Sequence, residues 1–164
     1  IIEDQKIKVG VNTHSTNKIV HHALKNNLIK KLKNLMEIKP ETKFGKNTRF
    51  DFLVKNKDYK AFVEVKNVTL SRNKKKAEFP DAVTSRGLKH INELINASKK
   101  GYKIFIIYLV QREDCNSFSI AKDIDADYAK ALMKAVKNNL NLLCYDCKFS
   151  SKGIKLNKKI KIKI

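Results

Sequence analysis

The sequence predicts an α/β protein with a mixed central β-sheet flanked by helices. Three observations carry that reading. Residues 49–54 and 61–70 alternate apolar and polar side chains, and the polar link 55–60 makes them a hairpin. Residues 102–111 and 142–145 are almost continuously apolar, as expected of strands covered on both faces. Three other stretches repeat apolar residues at helical spacing.

Taken in order, residues 7–11 alternate weakly and read as an incoming strand. The polar break at 12–17 offers Ser15 and Thr16 as N-caps. Ile19, Val20, Ala23, Leu24, Leu28, Leu32 and Leu35 form the apolar face of a first helix, with Lys25, Lys30, Lys31 and Lys33 opposite. Pro40 lies beyond its end. Residues 42–44 read as a short strand, 45–47 as a turn and 71–76 as a basic loop. Pro80 and Asp81 open a second helix with the stripe Leu88, Ile91, Leu94 and Ile95. Asp81 is its expected N-cap and Gly101 its C-terminal stop. Residues 123–139 form a third helix, with Tyr128, Ala131, Leu132, Ala135 and Val136 inward. The tail 154–164 alternates Ile or Leu with Lys, a strand with one wet, basic face. Neither a repeat nor a linker divides the chain, so a single domain over 1–164 is expected.

Charge narrows the partner. Lys and Arg number 36 against 16 Asp and Glu, a formal net charge of +20. Coding bias toward Lys, Ile and Asn would raise the acids as well, yet acids are scarce. The excess sets up a field that attracts polyanions, and nucleic acid is the expected partner. The longest apolar run, 104–110, is strand-sized, so no membrane span is expected. No signal peptide is expected at the start of the chain. Three cysteines form no disulfide framework, which fits a reducing cytoplasm. Cys144 and Cys147 make a single Cys-x-x-Cys, whereas zinc needs four ligands, so they read as buried thiols.

The hairpin carries the chemistry. In Arg49-Phe50-Asp51-Phe52, the acid is expected opposite to both phenylalanines. In Val63-Glu64-Val65-Lys66, Glu64 and Lys66 share a face. A two-residue turn at Lys57-Asp58 would set Asp51 directly across from Glu64, with Cβ atoms about 5 Å apart. Facing carboxylates destabilise a sheet unless a cation compensates. A hard divalent ion such as Mg²⁺ suits oxygen ligands of this kind. Lys66 could then orient a metal-bound water or help it lose its proton. The competing reading is a solvated, salt-bridged sheet face.

Several strings are more specific than their spacing. Val9-Gly10-Val11-Asn12-Thr13 precedes Asn17-Lys18-Ile19-Val20; Arg49-Phe50-Asp51-Phe52-Leu53 precedes Val63-Glu64-Val65-Lys66-Asn67-Val68-Thr69-Leu70. Phe79-Pro80-Asp81-Ala82-Val83-Thr84 leads into Arg86-Gly87-Leu88-Lys89-His90. From about Val9 onward this series resembles the sugar fermentation stimulation protein family (SfsA). The resemblance implies a restriction-endonuclease-like core of the PD-(D/E)xK type. It makes Asp51, Glu64 and the Val65 carbonyl ligands of Mg²⁺ or Mn²⁺, and Lys66 the catalytic lysine. It also implies sequence-nonspecific DNA binding and a link to sugar metabolism.

Two departures go with it. The family's N-terminal domain, resembling an OB fold, is expected to fall outside this chain. Many nucleases of the superfamily carry a glutamate on the first helix, whereas residues 16–36 hold no acid. Glu41 is a candidate substitute ligand from the next strand. Candidate nucleic-acid contacts are Arg49, Arg72, Lys74, Lys75, Arg86, Lys89 and His90. His90 is expected on the solvent face of its helix, opposite the apolar stripe. The expected function is a metal-dependent DNA phosphodiesterase. The alternatives are a non-catalytic DNA-binding regulator and an adaptor for an acidic protein.

Overall fold

The computed structural model describes every residue except Ile1, Gln5, Lys6, Val11, Asn12, Lys74, Lys152 and Ile164, and the backbone alone of residues 2–4, 13 and 14. The elements are β1 (Ile2–Asp4), β2 (Ile7–Val9), α1 (Thr13–Lys25), β3 (Glu37–Phe44), β4 (Thr48–Lys55), β5 (Lys60–Val68), β6 (Leu70–Asn73) and β7 (Lys76–Phe79). Then follow α2 (Ser85–Lys99), β8 (Lys103–Val110), β9 (Ser117–Ile120), α3 (Ala126–Lys137), β10 (Leu140–Ser150), β11 (Gly153–Lys159) and β12 (Lys161–Lys163).

A six-stranded mixed sheet in the order β11-β10-β8-β5-β4-β3 forms the centre. β5, β8 and β10 pair in parallel, while β3 with β4, β4 with β5 and β10 with β11 pair antiparallel. β8 shows why its sequence is unbroken in apolar residues. Ile104, Ile106, Tyr108 and Val110 enter one core cluster; Phe105, Ile107 and Leu109 enter the other. Helices α2 and α3 cover the first cluster with Ile91, Leu94, Tyr128 and Leu132. Helix α1 covers the second with Ile19, Val20, Ala23 and Leu24. Each fully buried large side chain contributes about 1.5–3 kcal/mol, so the two helical layers clamp the sheet from both faces. A four-stranded sheet, β12-β9-β7-β6, packs Ala77, Phe118 and Ile120 into the first cluster.

Next to its turn the hairpin has the expected register, but pairing stops at Phe52–Val63 and the expected facing pair of Asp51 with Glu64 does not form. Phe52 pairs with Val63, Leu53 with Phe62, Val54 with Ala61 and Lys55 with Lys60. The turn centres on Lys57-Asp58. Asn56 N donates to Tyr59 O at 3.1 Å, and Asn56 Oδ1 accepts the Asp58 and Tyr59 amides at 2.9 Å each.

Several boundaries differ from expectation. Helix α1 stops at Lys25, ten residues short of Leu35. Asn27 takes a left-handed conformation (φ 56°); its amide reaches Leu24 O and the Leu28 amide reaches Ala23 O, closing a Schellman stop. Leu28 is consequently exposed, while Ile29 and Leu32 are buried from the irregular segment that follows. Ser15 and Thr16 lie inside the helix rather than capping it. Helix α2 is capped by Thr84, which accepts from the Gly87 amide, so Asp81 stands outside and exposed. The strand expected over 61–70 breaks at Thr69, and the basic loop folds into the β6–β7 hairpin. Helix α3 begins after Asp125, whose Oδ1 accepts the Tyr128 amide. The tail breaks at buried Ile160, which hands it from the main sheet to the small one. Cys144 and Cys147 are free and buried, as read from the sequence, and so is Cys115. Among the described residues no helix is long and apolar enough to cross a membrane.

Candidate active site

Helices α1 and α2 approach the hairpin from opposite faces of the sheet, one at Asp51 and the other at Glu64. The pleat breaks at Asp51. Phe50 packs in the α2–α3 cluster and Phe52 in the α1 cluster, so the two phenylalanines do not share the face that simple alternation assigns them. The cause is local. Pairing with β5 ends at Phe52 and Val63, and one residue beyond it Asp51 Oδ2 accepts the Val65 amide at 2.7 Å. A side chain has taken the place of a strand carbonyl. On the other side, Glu41 lies between the pairs Pro40–Phe52 and Thr42–Phe50 with φ +50°, outside the strand region.

The second Asp51 oxygen accepts Asn17 Nδ2 from α1 at 2.8 Å. Burial and then the charge of Glu64 push the Asp51 carboxyl up to about 6, although the Val65 amide, Asn17 and Lys66 pull the other way. Glu64 behaves oppositely. Burial again works to raise it, but hydrogen bonds from His90 and Lys66 and the Lys66 charge prevail and hold it below the usual carboxylate range. Its Oε1 lies 2.5 Å from His90 Nδ1 and 2.8 Å from Lys66 Nζ. Its Oε2 is buried and finds no hydrogen-bond partner among the described residues.

That orphaned oxygen decides how the donors fit a cation. A buried carboxylate oxygen without a donor is costly, and the neighbouring carboxylate already feels the Glu64 charge. A hard divalent ion between them would meet both needs, with Asp51 and Glu64 as the residues able to hold it. Among the described residues no three His, Cys, Asp or Glu gather into a fuller cage. Mg²⁺ commonly uses one or two carboxylates and keeps several waters, so a sparse set suits it. Glu41 lines the same open cleft as Asp51, about 350 Å³, together with Asn17, Lys18 and His21.

Four of the expected nucleic-acid contacts converge. Arg49, Arg86, Lys89 and His90 line a second cleft of about 490 Å³ with Asn47 and Ser85. His90 corrects its expected place: it is buried and turned onto Glu64, because the carboxylate below α2 draws the ring inward. Arg72 also departs from expectation. Its guanidinium is bound by Glu78 and Asp123, with Nε to Glu78 Oε2 at 2.9 Å, so two carboxylates compensate it. Lys75 is exposed in the β6–β7 turn at φ +67°. Lys74 lies outside the described residues.

Two polar residues at the site carried no expected role. Asn17 stands one helical turn before His21, a spacing that puts both on one face of α1. Gln111 closes the apolar run of β8; its Nε2 donates to Thr16 Oγ1 at 2.9 Å and Asn67 Oδ1 at 2.6 Å. It thereby ties the first turn of α1 to β5 just beyond Lys66. A lone amide ending a buried strand was the available signal.

Comparison with known proteins agrees with this architecture. The family model "Sugar fermentation stimulation protein RE domain" matches residues 14–153. A sugar fermentation stimulation protein homolog from Pelagibacter ubique is 56% identical over 162 residues, covering 99% of this chain and 70% of that protein. A homolog from Roseobacter denitrificans is 40% identical over 156 residues, covering 94% of this chain and 66% of its own length. The solved structure of Pyrococcus furiosus SfsA in complex with Ca²⁺ superposes with a TM-score of 0.91 at 24% identity, covering 99% of this chain and 70% of that one. This chain belongs to the sugar fermentation stimulation protein family.

Proposed function

We propose that this chain is a metal-dependent phosphodiesterase acting on DNA. Glu64 is the observation that carries the reading: a buried carboxylate with one oxygen held by a lysine and a histidine, the other without a partner among the described residues, beside a second carboxylate. Asp51, Glu64 and the Val65 carbonyl would hold Mg²⁺ or Mn²⁺, with Glu41 near enough to the Asp51 cleft to assist. The ion, when bound, supplies a more acidic water and stabilises charge on the phosphate. Lys66 keeps Glu64 ionised and is placed to orient a water or shuttle its proton. Arg49, Arg86 and Lys89 offer phosphate contacts, which position a backbone without reading its sequence. The +20 charge supports a polyanionic substrate, and the Ca²⁺ in the Pyrococcus relative supports the cation. Free buried thiols fit a cytoplasmic setting.

A second reading is a non-catalytic, sequence-nonspecific DNA-binding regulator of sugar metabolism. Asn17 favours it, because α1 brings an amide rather than an acid to Asp51. The two readings separate on supercoiled plasmid and linear single strands incubated with Mg²⁺, Mn²⁺ or EDTA, with gel shifts in parallel. Cutting that needs metal and disappears in Glu64→Ala and Lys66→Ala establishes the phosphodiesterase. Salt-sensitive binding with no cutting under any condition leaves the regulator.

A further inference from the structure

His90 stands at the junction of the two halves of the site. Its Nδ1 lies 2.5 Å from Glu64 Oε1, its ring meets Phe50 edge-on at 6.1 Å, and it also lines the basic cleft with Arg49, Arg86 and Lys89. A histidine in such a cleft would ordinarily be assigned to the substrate phosphate. The packing argues otherwise. His90 is 7% exposed, and the one hydrogen bond of its ring among the described residues goes to the carboxylate. Lys66 binds the same Glu64 oxygen, so both donors crowd Oε1 and leave Oε2 without a partner among the described residues. Two donors on one oxygen fix the carboxylate rotamer, and a fixed rotamer determines which oxygen is free.

We propose that His90 is a positioning residue: through Nδ1 it anchors Glu64 Oε1 so that Oε2 is presented to a divalent cation. This rests on the metal-binding reading above. Carboxylates that ligate metals are commonly held by such outer hydrogen bonds, and losing one typically costs about 10–100-fold in metal affinity.

The two ring nitrogens can be separated by substitution. An asparagine amide nitrogen falls close to the position of Nδ1, whereas a glutamine amide reaches toward the position of Nε2. Mn²⁺ binding to wild type, His90→Asn, His90→Gln and His90→Ala is followed by loss of the free-ion EPR signal. DNA affinity is measured in EDTA by gel shift, and thermal melting identifies any variant that fails to fold. The expected result is Mn²⁺ binding weakened about tenfold or more in His90→Ala and His90→Gln. Substantial rescue is expected in His90→Asn, with DNA affinity in EDTA nearly constant throughout. If the alanine variant does not fold, the asparagine and glutamine pair carries the same comparison. Equal Mn²⁺ binding by all folded variants overturns the proposal, as does rescue by glutamine but not asparagine. Lost DNA affinity with unchanged Mn²⁺ binding also overturns it and returns His90 to the phosphate. A wild type that binds no Mn²⁺ removes the metal reading itself, which is a distinct outcome.

Discussion

Asp51 and Glu64 occupy adjoining strands and both lose water on folding, yet their carboxyls move in opposite directions. At Asp51 the partners are a backbone amide and the amide of Asn17, both neutral, and its carboxyl is pushed up to about 6. At Glu64 the partners are Lys66 and His90, and its carboxyl is held down. Burial alone therefore does not set the protonation of this site; the presence of a cation beside each acid does. The α2 side carries its own compensating charge. On the α1 side Asp51 has neutral hydrogen-bond partners, so it takes up a proton more readily than an ordinary carboxylate and would gain from a cation.

The largest effect comes from destroying the side that is already compensated. Glu64→Gln should reduce metal-dependent cleavage at least about 100-fold, since metal charge stabilisation is worth several kcal/mol. It should also lower the Asp51 pKa from about 6 toward its ordinary value by removing the Glu64 charge. Plasmid cleavage and carboxyl NMR titration read the two effects. Full activity in the variant would break the assignment.

Lys66→Met comes next. It leaves a buried carboxylate with His90 as its one remaining partner among the described residues and should cost up to about 3 kcal/mol in denaturant unfolding at neutral pH. The Glu64 carboxyl should rise. A carboxylate held low in the fold contributes stability above its unfolded pKa and loses it as pH falls through the folded value. The difference between wild type and Lys66→Met should therefore shrink in acid.

Asp51 sharpens the contrast because its sign is reversed. Its folded pKa of about 6 lies above the ordinary 3.8. The protonated form is favoured by the fold, so its contribution is intact below about pH 4 and is lost as pH rises through 6. In EDTA, Asp51→Asn should melt above wild type at pH 7–8 and match it near pH 4. Adding Mn²⁺ should stabilise wild type alone at the higher pH. A variant less stable than wild type at every pH would mean that the two amide contacts outweigh the burial cost.

The smallest effects belong to the basic cleft. Arg86→Ala and Lys89→Ala should weaken DNA binding by similar factors on all sequences, each lowering the slope of log affinity against log salt by about 0.9. A sequence-dependent loss would point to base readout there.

Much of the framework was legible along the chain. Period-two alternation announced the β4–β5 hairpin, and a two-residue loop at Lys57-Asp58, supposed without a turn signature, matches the register near the turn, where a shift of one residue would turn Phe62 and Val63 to the wrong faces. The unbroken run in β8 announced a strand between two helical layers. The end of α1 was not visible, because Leu28 and Leu32 continue the helical spacing while Asn27 reverses the backbone. Arg72 looked like an open basic loop because its partners, Glu78 and Asp123, are six and 51 residues away.

The sequence by itself determined the layers, the hairpin and the presence of two acids and a lysine on adjoining strands, because local periodicity acts between near neighbours. Tertiary structure alone decided what those acids are. Helix α1 delivered Asn17 to Asp51, and α2 turned His90 inward onto Glu64 across 26 residues of chain. Desolvation and charge act through space, so the ionisation of a carboxylate depends on whichever side chains the fold stacks against it. No spacing along the chain records that distance.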